Sequence, residues 1–102
     1  MNTMEILPLN GLKVIDAATV IAGPTLAMHL ADFGADVLKI EHPRGDVLRE
    51  TGYQKKGVGL WFKMANRNKR CITLNFSKSR GQELFKKLIA DADVLVENFR
   101  TG

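Results

Sequence analysis

Leu12-Lys13-Val14-Ile15 opens the stretch whose reading decides the fold, and Val37-Leu38-Lys39-Ile40-Glu41 closes it. Between them lie a turn-rich segment, Asp16 to Gly23, and an amphipathic segment that runs to Phe33. The order predicts strand, helix, strand. Leu26, Leu30 and Phe33 recur at spacings of four and three, which puts them on one face of a helix from Pro24 to Phe33. Pro24 suits the first turn, where a missing amide hydrogen costs nothing, and Gly34 can take the left-handed conformation that closes a helix. Both strands are continuous in Val, Ile and Leu rather than alternating, as expected where helices cover both faces of a parallel sheet. The connection after Ile15 then lies at the carboxyl edge of the sheet, where open α/β folds bind ligands.

Working outward, Met1 to Asn10 reads as a lead-in, with Pro8 and Asn10-Gly11 turning the chain into the first strand. From His42 to Lys63 the pattern loosens into Pro43, glycines and mixed charge, and no regular element is assigned; connections of this length are commonly functional or mobile. A strand follows at Cys71 to Asn75. Ser79 and Gln82 have the spacing of a capping box for a helix from Ser79 to Ala90, whose apolar face is Leu84, Phe85, Leu88 and Ile89. Val94 to Glu97 is the last strand. The expected fold is α/β: a mostly parallel sheet holding Val14-Ile15, Val37 to Ile40, Ile72 to Leu74 and Val94 to Val96, with flanking helices. Two helices leave such a sheet with an open edge, so residues 1–102 are expected to form the incomplete amino-terminal part of a larger domain.

Composition narrows the function classes. The 102 residues suffice for one small domain, and 45% hydrophobic with 25% charged residues is an ordinary globular balance. A net charge of +4 admits an anionic ligand without requiring one. One cysteine, Cys71, excludes an internal disulfide, reads as a buried structural thiol, and with two scattered histidines gives no metal-ligand spacing. No membrane span or signal peptide is legible, and the expected location is the cytoplasm.

Asp16 to Gly23 contains neither G-x-G-x-x-G nor G-x-x-x-x-G-K-[ST]. Without those glycines Glu41, at the end of the second strand, reads as a solvated strand end rather than a ribose-binding acid. Thr19 to Gly23, His42, Leu74 to Ser77 and Asn98 to Arg100 all follow strands, so they would converge at the carboxyl edge. Backbone amides and a few cations at such an edge suit a phosphate-bearing nucleotide, and Arg100 could meet a phosphate in bidentate fashion. A competing reading takes Lys63, Arg67, Lys69 and Arg70, with Tyr53, Trp61 and Phe62, as a surface for single-stranded nucleic acid; the plainer account is a charged loop whose aromatics dock on the core. His29 lies off the Leu26 stripe and reads as a surface residue.

The motifs Leu9-Asn10-Gly11-Leu12-Lys13-Val14-Ile15-Asp16, Ala22-Gly23-Pro24, Ala31 to Pro43, Asn66-Arg67-Asn68-Lys69-Arg70 and Ala92 to Arg100 stand in order along the chain. Together they resemble the amino-terminal part of the class III CoA-transferases, the family of formyl-CoA, succinyl-CoA and carnitine CoA-transferases and of alpha-methylacyl-CoA racemase. The resemblance implies a Rossmann-like domain in an interlocked homodimer that moves CoA between a thioester and a free carboxylic acid. Coenzyme A and acyl-CoA would be substrates, with no permanently bound cofactor and no nucleic-acid or membrane partner. It also implies a nucleophilic aspartate beyond Gly102, so no catalytic residue is assigned here. The CoA contacts it implies are Val20, His42, Leu74, Asn75, Phe76, Ser77, Asn98, Phe99 and Arg100. Two positions depart from the family: His42 stands where many members have arginine, and Ile21 where formyl-CoA transferases have glutamine. The alternatives are a racemase or epimerase of the same superfamily and a non-catalytic anion- or nucleic-acid-binding fragment.

Overall fold

The computed structural model describes residues 6–101; Met1 to Glu5, where the expected lead-in starts, and Gly102 lie outside them. In chain order the elements are β1 (Lys13–Asp16), α1 (Ala22–Asp32), β2 (Asp36–Glu41), a 3-10 turn (Val47–Glu50), β3 (Gln54–Lys55), β4 (Val58–Gly59), α2 (Leu60–Ala65), β5 (Arg70–Thr73), α3 (Ser79–Ala90) and β6 (Val94–Val96). Four of the strands form a parallel sheet in the order β5-β2-β1-β6, and β3 pairs antiparallel with β4 as a separate hairpin. Val14 sits beside Val37 on one side and Val94 on the other, and Ile40 beside Ile72. The four apolar segments expected to share a sheet therefore do so, with Leu74 one residue past β5 and its amide donating to the Glu41 carbonyl at 3.0 Å.

The turn expected at Asn10-Gly11 is present, with the Leu12 amide donating to Leu9 and Gly11 at φ +89°. Gly34 closes α1 at φ +107°, its amide donating to Ala31 and the Ala35 amide to Leu30, the pair of bonds that ends a helix through a left-handed residue.

The buried face of α1 is not the one that periodicity picks out. Gly23, Pro24, Ala27, Met28 and Ala31 turn inward, whereas Leu26 and Phe33 are 52% and 54% exposed. The reason is how closely the helix approaches the sheet. A Cβ added to Gly23 would stand 2.1 Å from the Ala18 Cβ, so no side chain fits at that point of the inner face, where Ala27 and Ala31 are also small. Val14, Ala18, Ala27, Ala31, Ala35, Val37 and Val96 form the resulting core.

Helix α3 crosses the other face of the sheet between β5 and β6. Its expected capping box is not made. Lys78, not Ser79, is the residue before the helix, and the Gln82 side chain donates to the Phe76 carbonyl at 2.8 Å. Asn75 shapes the turn instead, its Oδ1 accepting from the Ser77 amide at 2.9 Å. Leu84, Phe85, Leu88 and Ile89 are only half-buried, and a cavity of about 640 Å³ remains between α3 and Ile15, Leu38 and Ile72.

The segment 42–63, left unassigned from sequence, carries the 3-10 turn, the hairpin and part of α2. Lys56 and Gly57 form a two-residue hairpin loop with φ +50° and +78°, the handedness that matches strand twist. A lysine there gives no signal in the sequence, because Asn or Asp is the usual first residue of such a loop. Cys71 is exposed rather than buried, since β5 is an edge strand whose residues all remain accessible. His29 is exposed as expected.

Gly23→Ala is expected to lower unfolding stability by about 1–3 kcal/mol, the usual cost of overpacking a tight contact. Denaturant titration measures it, and an unchanged midpoint would show that helix and strand can separate freely at Ala18.

Candidate functional site

The carboxyl edge of the sheet is organised by the last side chains of β1 and β2. Asp16, Lys39 and Glu41 are buried, which the apolar reading of these strands did not anticipate. Asp16 accepts from the Ala18 amide at 3.0 Å and from Lys69 Nζ at 2.8 Å, and neither side chain of this pair is exposed. Lys69 Nζ also donates to the Pro24 carbonyl and Asn66 Oδ1, both at 2.8 Å. All three ammonium hydrogens are thereby used. Burial pulls the Lys69 pKa below its ordinary value, with Asp16 opposing the shift.

Lys39 Nζ donates to Asp46 Oδ2 and to the Ala18 carbonyl, each at 3.3 Å. Glu41 forms a two-pronged pair with Arg49 and accepts from the Asp46 amide at 2.6 Å. Glu41 is therefore a buried structural anion and not the solvated strand end expected. Its pKa is lowered first by the Arg49 hydrogen bonds, against the opposing effect of burial. The Arg49 guanidinium in turn lies 3.9 Å from the centre of the Phe62 ring.

These contacts shape the loop after β1. Thr19 is tied to Asn98 in both directions, its amide donating to Oδ1 at 3.0 Å and its carbonyl accepting from Nδ2 at 2.8 Å. Val20 lies at φ +66°, a conformation a β-branched residue rarely takes. A cleft of about 230 Å³ lies here, bounded by Thr19, Val20, His42, Gly45, Asp46 and Val47. The larger cavity under α3 runs instead along the sheet from the strand starts Lys13, Asp36 and Arg70. The small cleft is the better site candidate, because the strand-end residues meet there.

Of the residues singled out from sequence, Val20 and His42 share the cleft, and Asn98 braces its rim through Thr19. The Arg44 amide donates to His42 Nδ1 at 3.0 Å, leaving Nε2 as the ring nitrogen that can meet a ligand. Phe76 and Phe99 form a second group: their rings are 6.4 Å apart, edge to face, with Phe85 4.7 Å beyond Phe76. Leu74 and Asn75 are half-buried in the same connection, while Ser77 and Arg100 are exposed. Sequence reading missed Lys39, Asp46, Asn66 and Lys69 as organisers of this edge. The available signals were a charged residue inside an apolar strand, Lys39, and the Asn66 to Arg70 motif.

Three of the four cations of the basic cluster are paired with carboxylates, and Lys63 is exposed. Arg67 pairs with Asp32 at 2.7 Å, Lys69 with Asp16, and Arg70 with Asp36 at 3.0 Å. Asp32 is held below its ordinary pKa chiefly by Arg67. Among the described residues no group of three or more His, Cys, Asp or Glu side chains could hold a metal ion.

A family profile described as CoA-transferase family III matches residues 9–102. The chain belongs to CoA-transferase family III. It is 54% identical, over 98% of its length, to the succinyl-CoA–L-malate CoA-transferase beta subunit of Chloroflexus aurantiacus. It is 48% identical, over 93% of its length, to a formyl-CoA:oxalate CoA-transferase of Escherichia coli. It spans 25% and 23% of those two relatives. Among solved structures, a CAIB/BAIF family protein from Brucella suis matches with a TM-score of 0.86 at 43% identity, covering 93% of this chain and 26% of that one. A hypothetical protein from Mycobacterium tuberculosis matches at 0.85 with 32% identity, covering 94% and 26%. The family seen in the motifs is thus the family shown, and the parallel α/β fold is shared with these structures.

Within this family III chain, the depressed pKa of Glu41 fixes a pH dependence. Its ion pair stabilises the fold fully above the ordinary value of 4.5, and that contribution is lost as pH falls through the lower folded value. Glu41→Gln is expected to be about 1–2 kcal/mol less stable at pH 7, allowing for the half-exposed Arg49, with the deficit shrinking in acid. Melting curves of both proteins from neutral pH to below 4 check this; a deficit independent of pH would assign the loss to packing.

Proposed function

We propose that the protein carrying this chain is a class III CoA-transferase, moving CoA between an acyl-CoA thioester and a free carboxylic acid, and that this chain forms part of its CoA-binding edge. The observation that carries the reading is the meeting of Val20 and His42 in one cleft at the carboxyl edge, braced by Asn98. Phe76, Phe99 and Arg100 follow strands at the same edge, where an aromatic pair and a guanidinium suit an adenine nucleotide. The names of the two relatives support the substrate class, since each pairs an acyl-CoA with a dicarboxylate. Ile21, in place of the glutamine of formyl-CoA transferases, argues against oxalate and formate. The same reading gives a cytoplasmic homodimer without a resident cofactor; among the described residues no helix is long and apolar enough to cross a membrane.

In this reading the chain's part in the reaction is binding. The nucleophilic aspartate of the family, which carries acyl and CoA groups in turn, has no counterpart among Asp16, Asp32, Asp36, Asp46, Asp91 and Asp93. Four of these are paired in the structure with Lys69, Arg67, Arg70 and Lys39. Residues 1–102 expressed alone are accordingly expected to show no turnover with succinyl-CoA and a dicarboxylate, and no CoA binding in the micromolar range by calorimetry. Turnover by this piece would place a nucleophile within it.

Full-length protein tests the edge itself. His42→Arg is expected to lower KM for acyl-CoA roughly two- to fivefold, the ~0.5–1 kcal/mol that an exposed charge pair contributes, with less gain at high salt. An unchanged KM would remove His42 from the nucleotide's path.

A further inference from the structure

We infer that Asp46 is a positioning residue for the CoA site, clamping the loop after β1 in the conformation that faces the nucleotide. The inference rests on the reading of that cleft as the CoA-binding edge. Asp46 has a plainer role, because it precedes the 3-10 turn and its Oδ1 accepts from the Leu48 amide at 2.9 Å. Serine, threonine or asparagine would serve equally well for that. The second function of the carboxylate is what distinguishes it. Both oxygens lie 3.3 Å from the Val20 amide, and Oδ2 also accepts from Lys39. The Asp46 and Lys39 side chains are each 1% exposed. A buried ion pair gains little stability over apolar residues of the same shape, so its use here points to geometry.

The geometry it holds is a strained one. Val20 at φ +66° persists only where its surroundings over-determine it. Asn98 grips Thr19 from the β6 side, Asp46 grips Val20 from the β2 side, and Lys39 bridges Asp46 to the Ala18 carbonyl. Three consecutive residues of the loop are thus fixed from two strands. Val20 and Asp46 both line the cleft that contains His42, so releasing the loop changes the cleft.

Two double substitutions in the full-length protein separate clamp from cap. Lys39→Met with Asp46→Ser removes the buried charges and keeps a side-chain acceptor for Leu48, but a serine is too short to reach Val20. Lys39→Met with Asp46→Asn also removes the charges and retains an acceptor of the original length. Amide hydrogen exchange of the peptide spanning 17–24, without ligand, reads the clamp; KM for acyl-CoA against kcat reads the site. The serine pair is expected to speed exchange at least tenfold and raise KM at least tenfold with kcat within about threefold, and the asparagine pair to recover both to within about threefold. Unchanged exchange in the serine pair would overturn the clamp. Faster exchange with unchanged KM would leave the clamp standing and overturn its role in CoA binding, and with it the reading of this cleft. Loss of cooperative melting in the serine pair, or no recovery in the asparagine pair, would assign Asp46 to general stability and overturn the inference.

Discussion

The ammonium group of Lys69 is the point on which the sheet edge is built. It has no solvent contact and meets three acceptors at 2.8 Å: Asp16 at the end of β1, the Pro24 carbonyl in the first turn of α1, and Asn66 at the end of α2. An uncompensated buried cation would be costly, and removing one partner of such a pair typically destabilises by about 3–5 kcal/mol. The three elements must therefore arrive together. Because Asp16 is linked through Lys69 to the start of α1, the helix begins close to the strand end, and the Gly23 contact with Ala18 follows from that closeness. The glycine at position 23 is a further consequence, since no side chain would fit at that separation.

A second charged layer converts this anchoring into an ordered excursion beyond β2. Lys39 and Glu41 alternate with Ile40, so Lys39 and Glu41 lie on the same face of the strand. Lys39 reaches Asp46, and Glu41 reaches Arg49 and the Asp46 amide. Both charges draw the chain after His42 back over the sheet, and the 3-10 turn forms where Asp46 caps it. Arg49 then lies over Phe62, and Gly59 lets α2 pack against the Arg49 carbonyl, where a Cβ would stand 2.3 Å away. A segment that looks like a loose glycine-rich loop is ordered by two charges in the preceding strand. Its cleft is one product of that ordering, and the left-handed Val20 is another.

This explains which parts were legible in the sequence. Apolar runs specify strands because burial is roughly proportional to area and indifferent to partner, so the four strands, the parallel sheet and both long helices could be read from pattern. Burial of α1 was misread because the relevant quantity was not hydrophobicity but the size a close approach tolerates; Leu26 is more apolar than Ala27, yet only Ala27 fits. The excursion over 42–65 was illegible because its order comes from ion pairs with the preceding strand, Lys39 with Asp46 and Glu41 with Arg49. No local periodicity records such a pair. The site residues were chosen as strand ends and by resemblance, and the structure brings Val20 to His42 and Phe76 to Phe99. What neither route disclosed was the support beneath them, since Lys39 within Val-Leu-Lys-Ile reads as an interruption of an apolar strand until its partner is known.

The two faces of the sheet differ in kind, and the difference bears on where function can reside. On the α1 face the buried side chains are close-packed and finished with paired charges, leaving that end of the structure few ways to rearrange. On the α3 face a cavity of about 640 Å³ separates Leu84 and Leu88 from Ile15, Leu38 and Ile72, and Leu95 is 43% exposed. Apolar packing is non-directional and tolerates more than one arrangement. Charged hydrogen bonds with three acceptors at fixed positions do not. The loop after β1 and the turn after β2 belong to the first kind of surface: their contacts run through Asp16, Lys39, Asp46, Lys69 and Asn98, none of which lines the open cavity. The loop after β1 therefore keeps its shape independently of how the α3 face is filled, whereas Leu74 lines that cavity and Phe76 rests on Phe85 of α3, so the far side of the carboxyl edge moves with the α3 face.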